Sequence, residues 1–374
     1  MANGLAPYIL NSLQSVAGQA YPAYKIDLHG LTAMMLDNAK TNPVQLVNPQ
    51  GHLKEARVWY RQRPTVAMTD TAVDCTIANV PARKEATISG TSSRSINYFL
   101  TDALVASYLE EASAAQAMPA GSTPNPGSAS AELLDIIYSA CNAIIAGVET
   151  DTVGLLSYGR NRVSGNSAAV SLVYAIDTTL NDVTKNDAKL LGDYGLNNLT
   201  GRPAIVGAGI MYRWVLQQAF KGQAFSGINT KIAAAMYDFY PSQIFDSAAN
   251  GGSNNIAVLE PGSLHLVEKM EYTGFAGGLK PDGTWFFVMP VPFSDGMGNV
   301  NYIKFDVMLK YDSCPSRFTY TDQYSGGSVS GLTKGWNLMI KKDFGIFQTP
   351  SDAYRNDDGS IAVNGCLKYS VSQS

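Results

Sequence analysis

Charge is scarce in this 374-residue chain: Asp, Glu, Lys and Arg make up 16% of it, against about 25% in an ordinary globular domain. A surface so poor in ions must make its contacts by other means. Histidine is scarcer still. His29, His52 and His265 are too scattered to argue for a metal site, and each alone is commonly a structural or solvated side chain. The four cysteines, Cys75, Cys141, Cys314 and Cys366, show no CxxC or other metal-ligand spacing. They fit a reducing, cytosolic site of synthesis better than a disulfide framework. Cys141 falls on the apolar face of an expected helix, where a buried free thiol is the usual outcome. The N-terminus, Met1-Ala-Asn-Gly-Leu-Ala-Pro7, has no basic stretch before a long apolar core, so no signal peptide is expected. No run approaches 18 apolar residues, so no transmembrane helix is expected.

Catalytic motifs are missing too. There is no GxxxxGK[ST] phosphate loop. Val206-Gly-Ala-Gly-Ile-Met-Tyr212 follows an expected strand and enters an expected helix, as a dinucleotide loop does. Tyr212 stands where the third glycine belongs, however, and Asn229 where an acid belongs. A strand-to-helix turn that needs glycine explains it better. The hydrolase elbow G-x-S-x-G is absent: Gly165-Asn-Ser-Ala-Ala169 lacks one glycine and Gly326-Gly-Ser-Val-Ser-Gly331 has the wrong spacing. The adjacent acids Glu110-Glu111 and Asp357-Asp358 read as solvated faces with nothing to set them up as an acid/base pair. No catalytic, cofactor-binding or metal-binding residue is assigned, and the chain does not read as an enzyme.

What is present is apolar bulk (45% of residues), 34 Gly and 20 Tyr. Tyrosine favours interfaces because its ring buries area while its hydroxyl keeps a partner. The net charge of −4 argues against capture of nucleic acid by bulk electrostatics. Its distribution is uneven: residues 1–100 hold nine Lys/Arg against six Asp/Glu, and residues 101–200 hold four against eleven. The two quarters can attract each other within one chain or between copies. The basic cluster Lys54, Arg57, Arg61, Arg63, Arg83, Lys84 and Arg94 is either an arm reaching the acidic surface of a neighbour or a solvated strand pair. Nucleic-acid binding ranks third, since only Trp59 and Tyr60 interleave it. Arg57, Trp59, Arg61, Arg63, Arg83 and Lys84 are the candidate inter-subunit contacts.

Periodicity predicts a short helix at 31–36, strands at 57–63 and 74–80, and helices at 100–118 and 130–148 separated by the breaker 119–127. Thr101 and Asp102 are good N-caps for the first of these. In the second, Leu133, Leu134, Ile137, Tyr138, Cys141, Ile144, Ile145 and Val148 make a core stripe at spacings of three and four. Strands follow at 169–176, 203–206, 256–262 (closed by a turn), 284–291, 302–311, 336–340, 344–347 and 366–371, with helices at 210–220 and 230–240. Ile303, Phe305, Val307, Leu309 and Tyr311 share one face of their strand, with Lys304, Asp306 and Lys310 on the other. The turn Asp295-Gly-Met-Gly-Asn299 makes 284–311 a hairpin. No internal repeat is visible.

This element order, with several phrases, resembles the major capsid protein of tailed bacteriophages, the Hong Kong ninety-seven capsid fold. The phrases are Gly201-Arg-Pro-Ala-Ile-Val-Gly207, Asp246-Ser-Ala-Ala-Asn-Gly-Gly252, Asn255-Ile-Ala-Val-Leu-Glu-Pro-Gly262 and Tyr302-Ile-Lys-Phe-Asp-Val-Met-Leu-Lys-Tyr311, then Phe344-Gly-Ile-Phe347 and Asn364-Gly-Cys-Leu-Lys-Tyr-Ser-Val371. The match is best over residues 155–371. The resemblance implies an α+β fold with an N-terminal arm (1–51) and an extended two-stranded loop (52–95). It further implies a peripheral domain with a spine helix (96–159), an axial domain (160–330) and C-terminal strands returning to the peripheral domain (331–374). Either expected helix between 100 and 148 supplies the spine. It implies a structural protein, without cofactor, that assembles with copies of itself into hexamers and pentamers of an icosahedral head around double-stranded DNA. Portal, scaffold or decoration proteins and non-specific contact with packaged DNA are the other implied partners, with no membrane. The location implied is the virion capsid, after synthesis in the bacterial host cytoplasm. A nanocompartment shell of the same fold, and a mixed α/β enzyme with a scattered site, are the alternatives.

Overall fold

The computed structural model of the chain describes residues 2–16, 25–28, 30–41, 45–47, 55–61, 83–89, 92–116, 128–159, 170–174, 181–197, 199–207, 237–247, 251–252, 254–269, 278–294, 300–321, 328–350 and 365–373. The expected helix 210–220, the strand 74–80, the breaker 119–127 and the turn 295–299 lie outside them. The helices are α1 (Ala2–Val16), α2 (Gly30–Thr41), α3 (Asp102–Gln116), α4 (Ser128–Leu155), α5 (Asn181–Leu196) and α6 (Gln243–Ser247). The strands are β1 (Gln45–Val47), β2 (Glu55–Arg61), β3 (Arg83–Ser89), β4 (Ser92–Thr101), β5 (Val170–Tyr174), β6 (Ala204–Gly207) and β7 (Asp238–Pro241), then β8 (Asn255–Leu259), β9 (Leu264–Lys269), β10 (Gly278–Leu279), β11 (Trp285–Ser294), β12 (Val300–Thr321), β13 (Ser328–Gln348) and β14 (Cys366–Gln373). Helices and sheets are mixed, as an α+β fold requires. The chain divides into two compact units.

The first unit takes residues 1–27, 92–144 and 268–344. Its sheet runs β10-β11-β12-β13-β4 with every neighbour antiparallel. The expected hairpin is there: β11 and β12 stay in register from Trp285↔Leu309 to Ser294↔Val300. Strand alternation buries Ile303, Phe305, Val307 and Leu309 while Lys304 and Lys310 stay exposed. Two residues depart from that pattern. Asp306 is fully buried, between Val288 and Lys341 in register. Tyr311 is 39% exposed: its ring leans on Trp336 and its hydroxyl donates to Asp102 Oδ2 at 3.1 Å, so it sits at a wet rim. Helix α1 buries Leu5, Tyr8, Ile9 and Leu13 and packs on α3 and β11.

Beyond Asp312 the hairpin of β12 and β13 outgrows its sheet. β11 accompanies β12 only as far as Leu309, and β4 accompanies β13 only from Gly335 onward. After a register irregularity between Asp312 and Ser316, residues Ser316 to Thr321 pair with Thr333 to Ser328 as a two-stranded ribbon.

Helix α3 begins two residues later than predicted, because residues 92–101 form β4. Thr101 caps it, accepting from the Leu104 N–H at 3.3 Å. Helix α4 runs seven residues past its predicted end, about 42 Å in all, and gives residues to both units. All eight residues of the predicted stripe are at most 2% exposed. Contrary to the expectation from apolar run length, residues 131–155 are long and apolar enough to cross a membrane. Half of that apolar window is buried inside the protein, the predicted stripe included.

The second unit takes residues 28–91, 145–267 and 345–374. Its five-stranded sheet has the order β5-β14-β8-β6-β7, with β14/β5 and β6/β7 parallel and the rest antiparallel. Met34, Met35, Val153, Phe245, Val206 and Ala257 are among its core residues. The helix predicted at 230–240 is overturned at its end: residues 238–241 are β7, held by parallel pairing of Ala204↔Asp238 through Gly207↔Pro241. A third sheet, β1-β2-β3, is antiparallel throughout.

Candidate functional site

Register assigns the predicted contact residues to faces. On β2, alternation places Glu55, Arg57, Trp59 and Arg61 on one face, opposite Ser89, Thr87, Glu85 and Arg83 of β3. The other face carries Leu46, Ala56, Val58, Tyr60, Lys84, Ala86 and Ile88. Ala86 and Ile88 pack against Val267 and Phe347, so the apolar face is the one seated on the second unit's body. Arg57, Trp59, Arg61 and Arg83 therefore fall together on the opposite face. Lys84 is separated from them, and Arg63 lies outside the described residues. By register Glu55 and Glu85 fall on the same face, and Arg61 pairs with Arg83. Like charges directly opposite across a strand pair are destabilising.

Three buried polar centres escaped the sequence reading. Glu149 of α4 is fully buried in the second unit. Its Oε1 accepts from the Leu31 N–H (3.0 Å) and the Ser242 hydroxyl (2.6 Å), and its Oε2 from the Thr32 N–H (2.8 Å) and hydroxyl (2.9 Å). One carboxylate thereby caps the N-terminus of α2. Ser242 in turn accepts from the Phe245 N–H and caps α6. Gly30 permits this seat: a Cβ there would lie 2.5 Å from the Tyr240 carbonyl oxygen. In the first unit Lys342 is also fully buried. It pairs with Glu268, donates to the Lys304 carbonyl at 3.0 Å and lies 5.2 Å from the centre of the Phe305 ring. In the second unit Glu260 Oε1 takes the Thr200 N–H and hydroxyl, both at 2.7 Å. Sequence gave only a weak signal for these: Glu149 sits where the helical stripe continues.

The remaining candidates resolve as structure. His265 lies in β9, stacked on Phe347 and bonded to the Gly262 carbonyl; burial pulls its pKa below the ordinary 6.5, against the smaller opposing effect of that bond. His29 and His52 lie outside the described residues, as do Gly165 to Ala169 and Asp357-Asp358. Ser328 to Gly331 are strand, not a catalytic elbow. The glycine turn starts at Gly207, whose carbonyl accepts from the Ser242 N–H. Cys141 and Cys366 are free and buried, and burial pushes both thiols far above their usual range. Among the described residues no group of three or more His, Cys, Asp or Glu could hold a metal ion.

No family model matches the chain, and no curated protein matches it in sequence. In structure it is similar to phage capsids. With the capsid of Myoviridae phage XM1 it shares 11% identity over 96% of each chain, at a TM-score of 0.39. With the mature capsid of bacteriophage PhiM1 the identity is 9%, over 88% of this chain and 84% of that one, at 0.40. With the capsid of cyanophage P-SCSP1u it is 12%, over 87% and 85%, at 0.37.

Proposed function

We propose that this chain is a shell-building protein, the major capsid protein of a tailed-phage head, assembling in hexamers and pentamers around double-stranded DNA. The observation that carries the reading is the ribbon of β12 and β13 beyond Asp312. Six-residue strands that, among the described residues, pair only with each other are marginal in water and need a partner surface. The β1-β2-β3 sheet, whose Ala86 and Ile88 pack on Val267 and Phe347 and whose Arg57, Arg61 and Arg83 fall on the other face by register, supports a second such surface. Each copy then meets several neighbours through interfaces of about 800 Å² per partner, moderate singly and strong together. Moderate contacts let misplaced subunits dissociate and anneal. The sequence phrases that resemble the capsid family agree with this, and a structural role without catalysis follows from it.

In this reading α4 is the spine. The β10-β11-β12-β13-β4 sheet with α3 forms the peripheral domain, the β5-β14-β8-β6-β7 sheet the axial domain, and β2 and β3 the base of the extended loop. Arg57, Trp59, Arg61 and Arg83 make the inter-subunit contact. Portal, scaffold and decoration proteins are the further partners, and contact with the genome is non-specific. Negative-stain electron microscopy of the purified protein, concentrated in moderate salt, tests the reading. Shells, tubes or six-fold rings are expected. Small discrete particles persisting at every salt and concentration would overturn it.

A further inference from the structure

In the second unit the turn joining β8 to β9 is built from Glu260, Pro261, Gly262 and Ser263. Proline fixes the backbone at its first corner, and Gly262, at a φ of 78°, takes the left-handed second corner. The Ser263 N–H closes it on the Glu260 carbonyl at 3.0 Å. Residues just past β13 and just before β14 pin it from outside. The Thr349 N–H donates to the Ser263 carbonyl at 2.8 Å and its hydroxyl to the Gly262 carbonyl at 3.2 Å, while the Glu260 N–H donates to the Gly365 carbonyl at 2.8 Å. The Thr200–Arg202 loop leans on it as well, since a Cβ on Gly201 would lie 3.3 Å from Pro261 Cγ. The turn therefore holds its side chains in a fixed arrangement.

Two of those side chains are buried with polar atoms unanswered. Glu260 is 6% exposed; its Oε1 receives both Thr200 donors, but its Oε2 has no hydrogen-bond partner among the described residues. Ser263 is fully buried, and among the described residues its Oγ has none either. No described cation pairs with the carboxylate. Arg202, two residues beyond Thr200, is held by Asp238 at 2.8 Å and the Tyr237 carbonyl at 3.0 Å, and burial favours the neutral ring of His265. Glu149 differs, since its two oxygens collect four donors. A buried charge answered on one side only is costly, which favours a positive partner at Oε2. Both unanswered atoms are oxygens, as a hard cation requires. A monovalent ion leaves one carboxylate neutral, whereas a divalent ion would leave a net positive charge in the same buried place. We propose that the Glu260–Ser263 turn seats a monovalent alkali cation, Na⁺ or K⁺, on Glu260 Oε2 and Ser263 Oγ. The ion stabilises the second unit of a single chain, so the inference does not rest on the shell reading.

Thermal unfolding of the unassembled protein tests it, starting in tetramethylammonium chloride, an ion too large for such a seat, at a fixed ionic strength of about 0.2 M. Replacing that salt stepwise with NaCl or KCl is expected to raise Tm saturably, by about 3 °C or more at a tenfold excess over Kd. The two arms tell which ion fits. Glu260→Gln keeps an acceptor for Thr200 and sets an amide NH₂ where Oε2 stood. It should lose the response and, without Na⁺ or K⁺, be at least as stable as the wild type. Ser263→Ala should still respond but need at least about fivefold more of the ion. Hydrogen exchange at the Thr200 amide, slowed by the ion in the wild type and not in Glu260→Gln, locates the effect. A Tm indifferent to Na⁺ and K⁺, a rise that Glu260→Gln shares, or a response to Mg²⁺ or Ca²⁺ alone would overturn the proposal. Should Glu260→Gln fail to fold, the wild-type titration and Ser263→Ala decide it, and an unchanged midpoint in Ser263→Ala counts against the site.

Discussion

Removing the Glu149 carboxylate should destabilise the second unit more than any surface change, and by an amount the structure sets. Glu149→Ala strands the Leu31 and Thr32 N–H groups, which the carboxylate receives at 3.0 and 2.8 Å in a fully buried site. Each orphaned backbone donor costs about 1–3 kcal/mol. The Thr32 and Ser242 hydroxyls lose their acceptor but can rotate, so they add less. Against this, the variant no longer desolvates a carboxylate, which offsets part of the loss. The net is about 3–5 kcal/mol, a large fraction of the 5–15 kcal/mol typical of a domain. Glu149→Gln keeps the shape but turns one acceptor into a donor facing a backbone N–H, so it should cost about 2 kcal/mol. Urea unfolding of unassembled protein measures both, and hydrogen exchange at Leu31 and Thr32 locates the effect. Variants within about 0.5 kcal/mol of wild type, or a global loss without faster exchange at these two amides, would refute the reasoning.

The other predictions concern buried groups. Glu268→Ala leaves Lys342 buried without its counter-charge and should cost about 3–5 kcal/mol, whereas Lys342→Met, which keeps the packing against Phe305, should fall within about 1.5 kcal/mol of wild type in the same unfolding assay. Cys141 and Cys366, both wholly buried with thiols pushed up by desolvation, should resist a disulfide reagent at pH 8 in native protein and react in urea, read by mass spectrometry of the labelled peptides. His265 is held below 6.5 in the folded chain, so between that lowered value and 6.5 the unfolded chain binds more protons. Its contribution is complete above pH 6.5 and is lost as the pH falls through that window, at up to about 1.4 kcal/mol per pH unit. Asp193, raised above 3.8 by burial, acts with the opposite sign at lower pH. His265→Phe should therefore flatten the fall in Tm between pH 7 and 5, and an unchanged slope would remove His265 as its cause.

Where a segment's neighbours repeat its own periodicity, its structure was legible. The α4 stripe and the alternation of Ile303, Phe305, Val307 and Leu309 are such cases, since core faces select apolar residues at helical or strand spacing. Legibility failed where tertiary partners decide. Ser93, Arg94, Ser95 and Asn97 of β4 are exposed and polar, and only pairing with β13 makes them a strand. Helix α5, rich in Asn, Asp and Gly, gave no helical signal; Leu190 and Tyr194 are buried by what it packs on. The strand at 83–89 that pairs with β2 was not marked by periodicity; its Ala86 and Ile88 have Val267 and Phe347 to cover. Of the contact residues, chemistry was readable from charge, but face was not: one step of register separates Lys84 from Arg83. The role of Glu149 was not legible beyond its place on the helical stripe, since its donors come from residues 93 to 118 positions away.

The position of β14 bears on how the chain is made. In the five-stranded sheet it lies between β5 and β8 rather than at an edge. β5 has its parallel neighbour only once residues 366–373 have emerged from the ribosome, about 190 residues after its own synthesis. At 5–20 residues per second that is a delay on the order of 10–40 s. Throughout it the nascent chain cannot complete the second unit, while the hairpin of β11 and β12 is available as soon as it is translated. Polysomes crowd growing copies of one protein together, and on the shell reading proposed above a subunit able to dock early would jam. On that reading, a central strand delivered late would leave the five-stranded sheet of each copy unfinished until translation has passed it.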